Sequence, residues 1–115
     1  MLTLTNARII DPDAGTETLG AVRIEDGMIA EILPASTEGI DCKGKYLAPG
    51  IIDIGVKIGE PGERHKESFR TAGLAAAAGG VTTMVTRPDT TPAIDTPEIL
   101  DFFRRRAEDS SPVNV

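Results

Sequence analysis

Hydrophobic and polar residues alternate from the first positions of the chain. Leu2-Thr3-Leu4 and Ala7-Arg8-Ile9-Ile10 read as strand segments that end at an Asp11-Pro12-Asp13-Ala14-Gly15 turn. Ala21-Val22-Arg23-Ile24-Glu25 runs into Asp26-Gly27, and Met28-Ile29-Ala30-Glu31-Ile32 returns. An Asp-Gly pair between two such runs signals a hairpin, because the two-residue turn needs positive φ at both central residues. Asp41-Cys42-Lys43-Gly44-Lys45-Tyr46-Leu47 reads as one more short strand with a turn. Residues 1 to about 47 are thus expected to be β-structure.

From Ile51 the pattern changes to strand alternating with helix. An apolar, β-branched run over 51–57 is launched by Pro49-Gly50 and stopped by Gly59-Glu60-Pro61-Gly62. Glu67 to Ala78 is rich in good helix formers and ends at Gly79-Gly80. Val81-Thr82-Thr83-Met84-Val85-Thr86 predicts a second, parallel strand. Thr96-Pro97-Glu98 supplies a capping hydroxyl, a first-turn proline and an acid near the N-terminus, so a helix is expected to start there. Ile99, Leu100, Phe102, Phe103 and Ala107 carry helical spacing to about Ala107. Pro112-Val113-Asn114-Val115 reads as the opening of a third strand.

Composition narrows the function classes. Of the 115 residues 40% are hydrophobic but only 3% aromatic, so the core must be built mostly from Ile, Leu, Val and Ala. A net charge of −6 argues against nucleic-acid and anionic-membrane partners. The one dense positive cluster, Arg104-Arg105-Arg106, is flanked by Asp101, Glu108 and Asp109 and reads as helix-end charge complementing the dipole. Cys42, the only cysteine, forms no internal disulfide. No apolar run reaches membrane-spanning length, and a cytoplasmic protein is expected.

Candidate chemistry gathers after the two parallel strands. Alternation along 51–57 would set Asp53, Gly55 and Lys57 on one side of the first strand. Glycine donates no ligand there, and a lysine cation repels a divalent metal, so this strand predicts no metal site. Asp53 alone either caps local backbone or forms, with Lys57 and Arg87, a residual polar site. The segment Thr86-Arg87-Pro88-Asp89-Thr90-Thr91-Pro92-Ala93-Ile94-Asp95 places Asp89 in the loop after the second strand. His65, the only histidine, lies among charged neighbours and reads as a solvated loop residue. Gly73, Ala75 to Ala78 and Gly79-Gly80 match no phosphate-binding glycine pattern and instead suit close packing of a helix.

The whole chain resembles the dihydroorotase branch of the amidohydrolases, metal-dependent cyclic-amide hydrolases built on a (β/α)8 barrel. The motifs that carry the resemblance are Pro49-Gly50-Ile51-Ile52-Asp53, Glu60-Pro61-Gly62, Ala77-Ala78-Gly79-Gly80-Val81-Thr82-Thr83 and the Pro88 to Asp95 segment. It implies an α/β fold. Residues 1–47 would form the N-terminal part of a composite β-sandwich, and 48–115 would start a TIM-type barrel with its first two βα units. A closed barrel takes about 200 residues or more, so the chain is expected to be a truncated portion of a longer protein. Within the family's pattern Gly55 and Lys57 stand where two zinc-binding histidines belong. Gly59 replaces a substrate-binding arginine, and Asp89 replaces an asparagine that holds the substrate carboxylate.

The resemblance therefore implies a non-catalytic dihydroorotase homologue in pyrimidine biosynthesis, with no zinc of its own in these residues. The implied partner is aspartate carbamoyltransferase, with which degenerate dihydroorotases assemble. Self-association through open strand edges is the other expected contact. The alternative is an active zinc-dependent cyclic-amide hydrolase of the dihydroorotase or hydantoinase kind, with an altered metal site completed by residues outside this sequence.

Overall fold

A computed structural model describes all 115 residues, which fall into two compact units, Met1–Pro49 and Gly50–Val115. The first unit is one five-stranded sheet. Strand β1 (Leu2–Asp11) pairs antiparallel with β2 (Thr16–Glu25), which pairs antiparallel with β3 (Met28–Leu33). The two-residue pieces β4 (Ile40–Asp41) and β5 (Tyr46–Leu47) both lie parallel to β1. Both hairpins have the expected chemistry. Asp11 Oδ1 accepts from the N–H groups of Asp13 and Ala14 at 3.0 and 3.1 Å, and Asp26 and Gly27 hold φ of 50° and 76°.

One strand in this unit carries an irregularity, and one expectation needs correction. The runs at 2–4 and 7–10 are one strand, interrupted by a bulge where Asn6 takes φ 53° and the register shifts. The segment 41–47 is not a strand with a turn but two short pieces, because Lys43 and Gly44 turn the chain at φ 54° and 72°. Ala7, Ile9 and Val22 form the buried centre, with Ile24, Cys42 and Leu47 packed against them.

In the second unit the two strands are parallel and a helix joins them. Strand β6 (Ile51–Val56) pairs parallel with β7 (Val81–Thr86), helix α1 (Phe69–Ala78) connects them, and helix α2 (Pro97–Ser110) follows β7. The C-terminal residues add a single parallel bridge, Thr83 to Asn114. Ile58, Phe69, Ala72, Met84, Phe103 and Ala107 make the core. At its centre Phe69 meets Phe103 edge to face, centroids 4.7 Å apart. No helix is long and apolar enough to cross a membrane.

Both helix boundaries differ from the sequence expectation. Helix α1 starts at Phe69 rather than Glu67, because Ser68 caps it: its Oγ accepts from Thr71 N–H, and its own N–H donates to Thr71 Oγ1 at 2.9 Å. Helix α2 starts behind Thr96, whose Oγ1 accepts from Ile99 N–H, but runs on to Ser110. Arg104 to Arg106 consequently lie inside the helix, not in its last turn, and do not serve the dipole. Arg105 pairs with Asp101 at 2.6 Å and Arg104 with Glu108 at 3.8 Å, while Arg106 reaches out of the helix to Glu60.

Candidate functional site

The C-terminal ends of β6 and β7 open into two loops, 57–68 and 87–96, where every sequence-derived site residue except Asp53 and Gly55 lies. The loops are tied at several points. Arg87 N–H donates to Val56 O at 2.9 Å, and Thr91 N–H donates to Pro61 O at 3.3 Å. Thr90 Oγ1 donates to Pro92 O at 2.8 Å within the second loop. The peptide bonds Glu60–Pro61 and Thr91–Pro92 are both cis.

Lys57, Arg87 and Asp89 are brought together. An Arg87 Nη2 donates to Asp89 Oδ2 at 2.8 Å, and Lys57 Nζ stands 3.7 Å from the same oxygen. The chain bends at Pro88 and folds the Arg87 side chain onto Asp89, two residues on. All three side chains remain about half exposed, so water screens the pairs and each contributes little stability. Asp53 stands apart, exposed on β6 and outside this ion-paired group.

Gly55 does not continue the alternation expected for 53, 55 and 57. It adopts φ 89° where the β6–β7 register shifts between Ile54 and Val56. An L residue is strained in that conformation, although a Cβ at 55 would meet open space. At Gly59 the obstacle is the reverse. Its φ is ordinary, but a Cβ would come within 2.5 Å of Glu63 O and 2.6 Å of Glu67 O. The loop has closed on position 59, and Glu63 N–H donates to the Gly59 carbonyl at 2.6 Å. A side chain as long as arginine finds no room there.

The resemblance implies zinc at these positions. Zinc takes imidazole, thiolate or carboxylate ligands; these positions offer a glycine, an ion-paired lysine and one exposed aspartate. No three His, Cys, Asp or Glu side chains come together in the chain to hold a metal ion. The residues present do not fit the group. His65 is exposed in the first loop beside Arg64 and Lys66. Lys66 donates to Glu63, and this hydrogen bond, more than the Lys66 charge, holds the Glu63 carboxyl below the usual carboxylate range.

Sequence reasoning missed Glu60, the buried member of the region. Its Oε2 accepts from Phe69 N–H at 2.9 Å, and its Oε1 accepts from Arg106 Nε and Nη2 at 3.3 and 2.9 Å. Burial pushes its carboxyl up, but the Phe69 and Arg106 hydrogen bonds and the charges of Arg106 and Arg64 together outweigh that, so it titrates below 4.5. One signal was available: Arg106 sits between Phe103 and Ala107 on the apolar stripe of α2, where a cation needs a buried partner.

Known proteins extend the picture. A family model described as dihydro-orotase-like matches residues 44–115. The chain is 46% identical over 117 residues to a dihydroorotase of Wolbachia from Drosophila simulans, covering 96% of this chain and 26% of that protein. A dihydroorotase of Streptococcus pneumoniae is 43% identical over 111 residues, covering 93% and 26%. Among solved structures, the L-hydantoinase (dihydropyrimidinase) of Arthrobacter aurescens superposes with a TM-score of 0.87 at 25% identity, over 97% of this chain and 26% of its own. The D-hydantoinase (dihydropyrimidinase) of Thermus sp. gives 0.76 at 30% identity, over 98% and 26%. The chain spans about a quarter of the length of the relatives it matches.

Proposed function

Because the chain belongs to the dihydroorotase-like family, we propose that it acts in pyrimidine biosynthesis as a non-catalytic member of that family, a structural partner of aspartate carbamoyltransferase. The observation that carries this reading is the closed backbone at Gly59, where the family's pattern calls for a substrate-binding arginine and Glu63 O and Glu67 O leave no space for one. The strained φ of 89° at Gly55 and the ion-paired Lys57 support it at the two histidine positions. Asp89 supports it at the fourth, since an acceptor-only anion repels the carboxylate that an asparagine would hold.

The competing reading makes Lys57 a new base in an active cyclic-amide hydrolase. Lysine becomes a base at neutral pH through burial. Lys57 is instead 54% exposed, with Nζ 3.7 Å from Asp89 Oδ2, so the burial that this reading needs is missing.

Sedimentation velocity of the chain at micromolar concentration, alone and mixed with the aspartate carbamoyltransferase of the same cells, tests the partnership. The expected result is a boundary faster than either component when the two are mixed. Independent sedimentation at every ratio would overturn it, and a chain that forms only complexes with itself would replace the carbamoyltransferase by a second copy, through strand β7 or the segment near Val113.

A further inference from the structure

Glu60 lies in the loop between β6 and α1 and is 5% exposed. Its carboxylate bonds groups from three parts of the unit. Phe69 N–H belongs to the first turn of α1, the Arg106 guanidinium to α2, and Arg64, with Nε 3.5 Å from Oε1, to the loop itself. The two helical partners are not free to drift. Phe69 is fully buried and packs on Phe103, three residues before Arg106 on the same helix. The cleft of about 400 Å³ beside Glu60 is lined also by Arg70 of α1 and Asp109 of α2, with the hydroxyls of Ser68 and Ser110. Cations thus outnumber anions around the carboxylate, which favours its charged, bonded form.

Immediately before Glu60 is Gly59, the position on which the loop has closed. Glu63 N–H bonds the Gly59 carbonyl, Glu67 N–H reaches back to Glu63 O at 3.4 Å, and the Glu63 and Glu67 carbonyls occupy the space a side chain at 59 would need. We infer that Glu60 is a latch: by bonding Phe69 N–H and Arg106 at once, it holds the 57–68 loop closed over position 59, and releasing it opens that position. The inference deepens the proposed function, since it names what keeps the site shut. Its test reads backbone opening, not turnover, metal or partner binding, so either can fail without the other.

Hydrogen exchange on the full chain with Glu60→Gln, Gly59→Ala and the double variant provides that test. Glu60→Gln keeps the shape but loses the charge-assisted bonds to Arg106. It is expected to speed exchange of the Glu63 and Phe69 amides at least tenfold over the unaltered chain, while the β1–β2 amides of the first unit stay within twofold. Gly59→Ala alone is expected to shift the folding equilibrium of the second unit toward unfolded by at least tenfold. In the double variant that shift should shrink to threefold or less, because the loop has already opened. Unchanged exchange at Glu63, or penalties that multiply independently, would overturn the latch. Should Glu60→Gln fail to fold, the unaltered chain still decides. Protection of Glu63 and Phe69, corrected for intrinsic rate, should fall as the pH drops through the Glu60 titration below 4.5, and protection that is flat there would equally overturn the inference.

Discussion

Replacing Phe69 with alanine is expected to cost the Gly50–Val115 unit about 3–5 kcal/mol, the range for truncating a buried phenylalanine. The ring is fully buried and makes the only aromatic contact of its core, edge to face with Phe103. Its other neighbours are small or aliphatic: Ala72, Ala107, Ile58 and Met84 share the same cluster. With two alanines among the other buried residues of that cluster, few side chains can move in to fill the space, so the cost should lie at the upper end. Against a typical total stability of about 5–15 kcal/mol, such a loss removes much of the folded margin. Both helices of the chain belong to this unit, so helical ellipticity followed through urea unfolding reports it specifically. A loss below about 1 kcal/mol would mean that the Phe69 site collapses or repacks, contrary to the core described above.

Arg106→Met carries the second large effect. It preserves much of the aliphatic stem but leaves Glu60 buried without the guanidinium that donates to it twice. Breaking a buried ion pair by removing one member costs about 3–5 kcal/mol. The Arg106 side chain is 30% exposed, so solvent relieves part of that, and a loss of about 2–4 kcal/mol is expected. The pH dependence fixes the sign. The carboxyl of Glu60 is held below its ordinary value of 4.5 in the folded state, so the unfolded chain binds its proton more readily. The stability this supplies is present above 4.5 and is lost as the pH falls through the lower, folded-state value. Urea unfolding between pH 3 and 7 should therefore show a steeper acid loss for the unaltered chain than for Arg106→Met. Parallel curves would remove Arg106 as a contributor to the shift and leave it to the Phe69 N–H and Arg64. Arg106→Lys, which keeps the charge but not the two-pronged geometry, should fall between them.

These two residues mark the boundary of what the sequence discloses. Local signals were sufficient where neighbours in sequence determine the outcome. Asp26-Gly27 specifies its hairpin, Thr96-Pro97 starts α2, and β-branched runs at 51–56 and 81–86 become parallel strands. The α/β fold with a β-rich head, and the likeness to the amidohydrolases, were legible for the same reason: they are carried by contiguous motifs. Boundaries were less so, because a Ser68 side chain competing for the first turn outweighs the helix propensity of Glu67. The candidate site was legible by position but not by conformation. Nothing local distinguishes a Gly55 that continues a strand from one at φ 89° that breaks its register. The return of Arg87 onto Asp89 depends on the turn at Pro88, and the pair between Glu60 and Arg106 joins residues 46 apart. The Glu60–Arg106 partnership is set by the packing of α1 and α2 in the second unit, which no single segment encodes.

On the function proposed above, positions 55, 57, 59 and 89 hold neither the metal nor the substrate of the family's chemistry. The most direct measurement purifies the protein as its own cells make it, records its intact mass and zinc content, and assays hydrolysis of dihydroorotate and of a hydantoin on the same sample. The result expected is less than one zinc for every ten chains and no turnover above the uncatalysed rate with zinc added. Stoichiometric zinc accompanied by hydrolysis, abolished by a chelator and restored by the metal, would contradict it.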